Sequence, residues 1–360
     1  MSSAIIIGKI TAFLLKIFSS GGGTALPGLI ALKLNPALIN QIVKKNSLRS
    51  IIITGTNGKT TTSRLLGEIF KLHGLKFIHN RSGSNLLRGI ASTLINQSDG
   101  RGRIKTTWAI WEIDEAAVKT AVRQLQPEIA IFTNLSRDQL DRYGELDTIL
   151  KDWREAISLL PEKAAIVTNH QLASTFPKIR PLFTFPQHSS AKYYLNHRAA
   201  VKAICRILKF NPDLVERAVA GFRPAFGRGE ELILNHKPVK IFLVKNPAGF
   251  NAVWQMLHEQ GKLNKQLLII LNDLIADGTD VSWIWDIDFN YLNSRKLPII
   301  VSGTRTNDMA LRLKYAGLNP ALIRLEPKIK KALTYSPDYI LPTYTAMLKL
   351  RQIIFRQRFD

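Results

Sequence analysis

The chain has 360 residues, 46% of them hydrophobic, with a mean hydropathy near zero. That excludes a disordered chain and leaves room for two packed domains. Fifty Lys and Arg stand against 27 Asp and Glu, a net charge of +23, which favours nucleotides, nucleic acid or an anionic membrane face as partners. The basic residues are scattered along the whole chain, with no basic block, no interleaved basic and aromatic platform and no zinc-finger or helix-turn-helix spacing. Nucleic acid is therefore not an expected partner. Cys205 is the single cysteine, which rules out an intrachain disulfide and a cysteine-rich zinc site and suits a reducing, cytoplasmic compartment. Its place in the helical run 198–208 reads as a small core residue.

The first element is an apolar run from Ala4 to Phe18 carrying Lys9 and Lys16. It is too short to span a bilayer and lacks a small-residue cleavage site. Ile5, Ile6, Ile10, Phe13, Leu14 and Ile17 recur at helical spacing, which suits a helix packed on the body or lying on a membrane surface.

Next comes Ile51-Ile-Ile-Thr54-Gly55-Thr56-Asn57-Gly58-Lys59-Thr60-Thr61, an apolar strand, a glycine-rich turn and a helix start. This is the layout of a nucleotide-phosphate cradle, and ATP is the expected ligand. Gly55 and Gly58 let the backbone wrap an anion, the amides of residues 56–60 point inward, Lys59 supplies charge, and Thr60 can hold Mg²⁺. The spacing is the short G-x-x-G-K-T, with Ile53 where the longer pattern wants glycine. The helix from Thr60 to His73 follows, with Leu65, Leu66, Ile69, Phe70 and Leu72 at helical spacing.

Strands are then predicted at 107–113, 129–133 and 164–167, with helices at 85–96, 115–125 and 147–159. The alternation argues for a mostly parallel sheet covered on both faces. The first of these strands ends in Glu112-Ile113-Asp114-Glu115, at the carboxyl edge beside the phosphate loop. Glu112 is the expected Mg²⁺ carboxylate, shared with Thr60, whereas Asp114 and Glu115 read as an acidic helix start. The next strand opens into the polar loop 133–144, whose Asn134 could touch nucleotide or metal-bound water, or which could serve simply as a loop and helix cap.

A helix at 213–220 precedes Phe222-Arg223-Pro224-Ala225-Phe226-Gly227-Arg228-Gly229, where Pro and Gly interrupt the pattern and a domain boundary is expected, giving domains 1–222 and 223–360. Arg228 is placed to reach a γ-phosphate across the junction. The second series has strands predicted at 239–244, 267–271, 297–301 and 322–325 and helices at 247–260, 308–316, 328–335 and 343–355. Asn246, just before Pro247 at a favoured first helical position, could face the nucleotide or cap the helix. The segment 271–288 packs five aspartates and two tryptophans behind one buried strand, too dense for plain solvation in a basic chain.

Taken together, these motifs resemble the Mur ligase superfamily and, within it, the MurT family of lipid II isoglutaminyl synthase subunits. The resemblance runs from Ser20–Gly28 through Gly55–Thr62, Glu112–Glu115, Thr133–Gly144, Pro224–Glu230, Lys245–Asn251 and Ala276–Asp286 to Leu341–Leu348. The Asn-Pro-Ala-Gly-Phe-Asn and Asp-Gly-Thr-Asp-Val-Ser-Trp strings are its most specific parts. It implies an α/β fold, a central ATP-binding domain with a mostly parallel sheet plus a smaller Rossmann-like C-terminal domain.

It also implies an ATP-dependent carbon–nitrogen ligase that activates the α-carboxyl of D-glutamate in lipid II as an acyl phosphate, which ammonia then displaces. The ammonia would come from a GatD-like glutaminase subunit, with Asp280, or alternatively Asp277, completing that subunit's catalytic triad. Lys59 and the loop (Gly55, Thr56, Asn57, Gly58, Thr60, Thr61) would hold phosphates, Thr60 and Glu112 Mg²⁺, and Asn134, Arg228 and Asn246 nucleotide. The lipid substrate implies a peripheral position at the inner membrane face.

Two features depart from the family. Its four-cysteine zinc ribbon is impossible with Cys205 alone, so no zinc is expected, and Gln139 stands where many Mur ligases have a histidine. Competing readings are a Mur-type amino-acid ligase, as in folate polyglutamylation, and a non-catalytic nucleotide-gated binding protein.

Overall fold

The computed structural model describes residues 1–18, 25–80, 85–135, 146–186, 193–223, 227–292 and 296–355. Parts of the motifs above, namely 20–24, 136–144 with Gln139, and 224–226, lie outside the described residues. Three helices come first: α1 (Ser2–Phe18), α2 (Leu26–Leu34) and α3 (Leu38–Lys45). The alternating series follows as β1 (Arg49–Thr54), α4 (Lys59–Leu72), β2 (Phe77–His79), α5 (Leu87–Gln97), β3 (Trp108–Glu112), α6 (Val118–Leu125), β4 (Ile129–Phe132), α7 (Leu146–Ser158), β5 (Ala165–Asn169), β6 (Leu182–Phe185), α8 (Tyr193–Ile207) and α9 (Pro212–Gly221). A second series holds β7 (Arg228–Leu234), β8 (Lys237–Phe242), α10 (Pro247–Glu259), β9 (Leu267–Ile270), β10 (Ile299–Ser302), α11 (Thr306–Tyr315), β11 (Ile323–Leu325), β12 (Tyr339–Pro342) and α12 (Tyr344–Phe355). One-turn and 3₁₀ helices fill several connections, including Ile329–Ala332 and Leu333–Tyr335, where a single helix was predicted.

The first sheet has the order β2-β3-β1-β4-β5-β6, and every pairing in it is parallel. Its strands read as unbroken apolar runs because both faces are covered. Ile51 and Ile53 join one core with Leu66, Phe70 and Val201, whereas Ile52 between them joins the other with Leu94, Trp111 and Phe132. The second sheet runs β11-β10-β9-β12-β8-β7, parallel except for the β7–β8 hairpin. The same alternation splits Leu267 and Ile269 from Leu268 and Ile270. The α/β class is therefore as expected, with one all-parallel sheet and one mixed sheet.

Parallel pairing puts the loops after β1, β3 and β4 on one edge, and β1 lies between the other two. That order brings the glycine-rich turn, Glu112 and Asn134 together. In the second sheet the chain leaves β9 outward to β10 and β11 and returns as β12 on the other side of β9. The β9/β12 boundary is thus that sheet's switch point, where a crevice normally opens.

α1 departs from a simple packed helix. Ala4 and Ile5 are buried, but Ile6, Ile10, Phe13, Leu14 and Ile17 of the expected apolar face are exposed, as is Ile7.

Candidate active site

The turn after β1 is built by its two glycines. Gly55 has φ 130° and Gly58 has φ 91°, backbone that L side chains rarely adopt. A Cβ at Gly55 would lie 2.1 Å from Thr133 Oγ1, and one at Gly58 would lie 2.3 Å from His197 Cε1. The end of β4 braces the turn. Thr56 N donates to Asn134 O at 3.0 Å and Asn57 N to Asn134 Oδ1 at 2.9 Å. Asn134 Nδ2 and Thr133 Oγ1 both donate to Asn57 O at 2.8 Å. The inward amides expected over 56–60 are thereby corrected at Thr56 and Asn57, which bond to β4 because Asn134 reaches them first. α4 starts at Lys59 with no side-chain cap, so its first-turn amides remain for an anion.

Lys59 is 7% exposed, and its Nζ donates to Gly55 O and to Glu115 Oε2, the latter at 2.7 Å. Burial works against the charge on Lys59, but Glu115 outweighs it and the pKa is raised. Burial likewise opposes ionisation of Glu115, and Lys59 with Lys245 overcomes it, so its pKa is lowered. Sequence reasoning gave Glu115 to the helix start; it is instead the counter-charge of the phosphate-loop lysine, and Asp114 is the N-cap, accepting from Ala116 N. Glu112 is 8% exposed, its backbone held at both ends by Asn80, which accepts from Glu112 N and donates to Glu112 O, each at 2.8 Å. Glu112 Oε1 accepts from Thr60 Oγ1 at 2.8 Å.

The second half of the chain enters the same site. Arg228 Nη2 donates to Thr60 Oγ1 at 3.0 Å. Its position comes from a bulge between Arg228 and Glu230 and from Glu230, whose carboxylate accepts from Gly227 N at 2.9 Å and pairs with Arg351. Asn246 is fully buried; its Oδ1 caps α10 by accepting from Gly249 N at 2.7 Å, while its Nδ2 donates to Asn57 Oδ1 at 3.3 Å. His197, which sequence reasoning did not single out, is 6% exposed against Gly58. Burial and the nearby Arg228 lower its pKa to about 4. No spacing signal pointed to it, since the contact joins α8 to a turn far back in the chain.

A buried carboxylate beside a hydroxyl at a helix N-terminus suits a hard divalent cation that takes its remaining ligands from phosphate and water. Thr60 and Glu112 fit Mg²⁺ in this sense. Among the described residues no three His, Cys, Asp or Glu cluster as a ligand set.

The aspartate-rich segment follows β9. Asp277 is 6% exposed and is tied down by Thr345 at the start of α12, accepting from Thr345 N at 2.8 Å and from Thr345 Oγ1. Asn272 reinforces this, with Asn272 N bonded to Thr343 Oγ1 and Nδ2 to Thr345 Oγ1, both at 3.0 Å. The segment therefore plugs its own sheet's switch point. Burial, offset in part by these bonds, raises the pKa of Asp277. Asp280 is exposed, and accepts from Ser282 N at 2.7 Å and Ser282 Oγ at 2.9 Å, bonds that lower its pKa. Cys205 is buried in the core, and burial pushes its thiol up to about 12.

A parallel-sheet half carrying a phosphate loop, met by an arginine and an asparagine from a Rossmann-like half, is the architecture of the Mur ligases. Residues 53–205 match the Mur ligase middle domain and residues 243–347 the MurT ligase C-terminal domain. The chain is 30% identical to the lipid II isoglutaminyl synthase (glutamine-hydrolyzing) subunit MurT of Staphylococcus aureus strain COL, over 93% of each chain. It belongs to the MurT family. Among solved structures, MurF ligase of Thermotoga maritima in complex with ADP shares the fold with TM-score 0.69 at 14% identity, over 91% of this chain and 84% of that one. Folylpolyglutamate synthase of Mycobacterium tuberculosis, complexed with ADP and AMPPCP, does so with TM-score 0.64 at 14% identity, over 93% and 99%.

Proposed function

We propose that the chain is the ATP-dependent synthetase subunit of a lipid II isoglutaminyl synthase, with halves 1–222 and 223–360 forming the two walls of the nucleotide cleft. ATP sits with its phosphates on the α4 N-terminus and Lys59, while Arg228 contributes positive charge from the opposite wall. The α-carboxylate of D-glutamate attacks the γ-phosphorus, ADP leaves, and an acyl phosphate forms. Ammonia then attacks the acyl carbon and phosphate departs, leaving the amide. Thr60 and Glu112 would hold Mg²⁺, which would supply positive charge against the phosphates. Asn134, Thr56 and Asn57 act by holding the turn in shape, and Asn246 by fixing α10 against it.

The observation that carries the reading is a phosphate-loop turn with Lys59 and uncapped α4 amides, in a chain whose one thiol is buried and resistant to ionisation. A glutamine-hydrolysing relative needs a nucleophile, and Cys205 does not supply it. The nucleophile then belongs to a GatD-like glutaminase, and Asp280 is the acid that orients its histidine. Asp280 is solvent-facing, whereas Asp277 is consumed by Thr345. The same segment exposes Leu274, Ile275 (90%) and Trp285, an apolar surface suited to a protein partner. The lipid-linked substrate places the reaction at the inner membrane face.

The test is glutamine-driven and ammonia-driven amidation of lipid II by the chain co-expressed with a glutaminase. Lys59→Ala should abolish both activities, and Asp280→Asn only the glutamine-driven one. Full glutamine-driven activity of Asp280→Asn would overturn the triad assignment. Incorporation of an amino acid with no need for glutaminase would favour an amino-acid ligase, as the folylpolyglutamate synthase likeness in fold allows.

A further inference from the structure

α1 is apolar on both sides, and only one side is covered by protein. On the covered side Ala4, Ile5 and Gly8 are buried, and the backbone approach is so close that a Cβ at Gly8 would lie 2.8 Å from Ile95 Cδ1. The other side carries Ile6, Ile7, Ile10, Phe13, Leu14 and Ile17, from 40% exposed at Ile7 to 63% at Phe13. At 3.6 residues per turn these six side chains fall within about a third of the helix circumference. They form one continuous apolar stripe facing away from the body. A lone exposed Ile needs no explanation, but a stripe of six marks a surface that something covers.

The charge around the stripe says what covers it. α1 contains no acidic residue and carries Lys9 at the edge of its packed side. On the packed side, away from the stripe, its first turn meets a basic turn that follows α5, where Gly102 lies against Met1 and Ile5. Arg101 and Arg103 in that turn are exposed, and exposed Lys45 donates to Arg101 O at 2.7 Å. The one acid there, Asp99, is engaged by the amides of Arg101 and Arg103. An apolar stripe flanked by Lys9 on a helix without an acid, in a chain of net charge +23, is complementary to an anionic bilayer surface. No single described helix is long and apolar enough to cross a membrane, and the buried side of α1 is already occupied. A helix of this kind would lie in the plane of a membrane rather than cross it.

We infer that α1 is a membrane-docking helix that inserts Ile6, Ile10, Phe13 and Ile17 among the acyl chains of an anionic bilayer. This deepens the reading above, since docking brings the cleft to a lipid-linked substrate, but the docking itself rests only on α1 and its surroundings.

The test is co-sedimentation of the whole chain with vesicles of phosphatidylglycerol and phosphatidylcholine, beside vesicles of phosphatidylcholine alone. Wild type should partition to the anionic vesicles. The double variant Ile10→Glu, Phe13→Glu should lose partitioning by more than about tenfold, with its melting temperature unchanged because both side chains are exposed. The milder Ile10→Ser should fall between them. Equal partitioning of wild type and double variant would overturn the inference. So would a wild-type dimer in sedimentation that the variant abolishes, because a second copy would then cover the stripe. Capture of a glutaminase through α1 would overturn it as well. Amidation of detergent-dispersed lipid II, measured alongside, separates the two readings. If amidation holds and vesicle binding fails, only the docking falls; if vesicle binding holds and amidation fails, only the ligase reading falls.

Discussion

Glu115→Ala removes the counter-charge of a buried lysine, and the outcome follows from the geometry. Lys59 and Glu115 are 7% and 3% exposed, with Nζ and Oε2 2.7 Å apart. Truncating one member of such a pair leaves the other charged or forces it to neutralise, at a cost of about 3–5 kcal/mol. In a nucleotide-binding half of this size, that corresponds to a melting temperature lower by roughly 6–20 °C. Glu115→Gln keeps a hydrogen-bonding oxygen and should lose less, about 1–3 kcal/mol. The pH dependence has a definite sign. Glu115 has a lowered pKa in the folded protein, so its contribution is full above the unfolded carboxylate value and is lost as pH falls through the lower, folded one. The gap between wild type and Glu115→Ala should therefore be widest near neutrality and close in acid. Bound nucleotide replaces the missing anion, so saturating ATP should raise the melting temperature of Glu115→Ala more than that of wild type. The assay is thermal unfolding by circular dichroism with and without ATP. A Glu115→Ala protein melting within 2 °C of wild type at pH 7 would refute the claim that this pair bears on the stability of the site.

Gly58→Ala forces a side chain into left-handed backbone and against the His197 ring; it should cost about 1–3 kcal/mol and weaken ATP binding, measured by thermal unfolding and calorimetric titration. His197 is held neutral, and its fall from an ordinary 6.5 to about 4 is worth about 3 kcal/mol. A histidine with a lowered pKa gives stability that is complete above pH 6.5 and lost as pH falls towards about 4, so denaturant midpoints measured across that window should drop steeply in wild type and more gently in His197→Gln. Asp277→Ala unpins the aspartate-rich segment from Thr345. It should lower glutamine-driven amidation at least as much as it lowers stability, by about 1–3 kcal/mol, leave ammonia-driven amidation near wild type, and be largely rescued in Asp277→Asn, all read in the paired amidation assay.

Much of the molecule was legible because the signals are local. Gly55, Gly58, Lys59 and Thr60 lie within six residues of one another, and their types answer to backbone conformation and charge that need no distant partner. The long helices were readable because an apolar period accumulates over a dozen residues, and the central strands because they are short unbroken apolar runs. β2, β6 and β7 lie at sheet edges, where partial burial breaks up the apolar pattern. Those three strands and β12 were missed, whereas the edge strand β11 was found within a predicted strand. β12 nonetheless lies between β9 and β8 and creates the switch point that the aspartate segment fills.

The sequence by itself determined the α/β class, the phosphate turn, the carboxylate at position 112 and the absence of a second thiol. Tertiary structure decided which neighbours those residues meet. Lys59 pairs with Glu115 across 56 positions, Asp277 is claimed by Thr345 across 68, and Arg228 reaches Thr60 across 168. The reason is physical: backbone preference and hydrophobic period depend on residues a few places apart, whereas the charge state of a carboxylate depends on what burial and chain crossover put beside it. Asp277 and Asp280, three residues apart and chemically identical, ended with opposite surroundings, and the same is true of the two faces of α1.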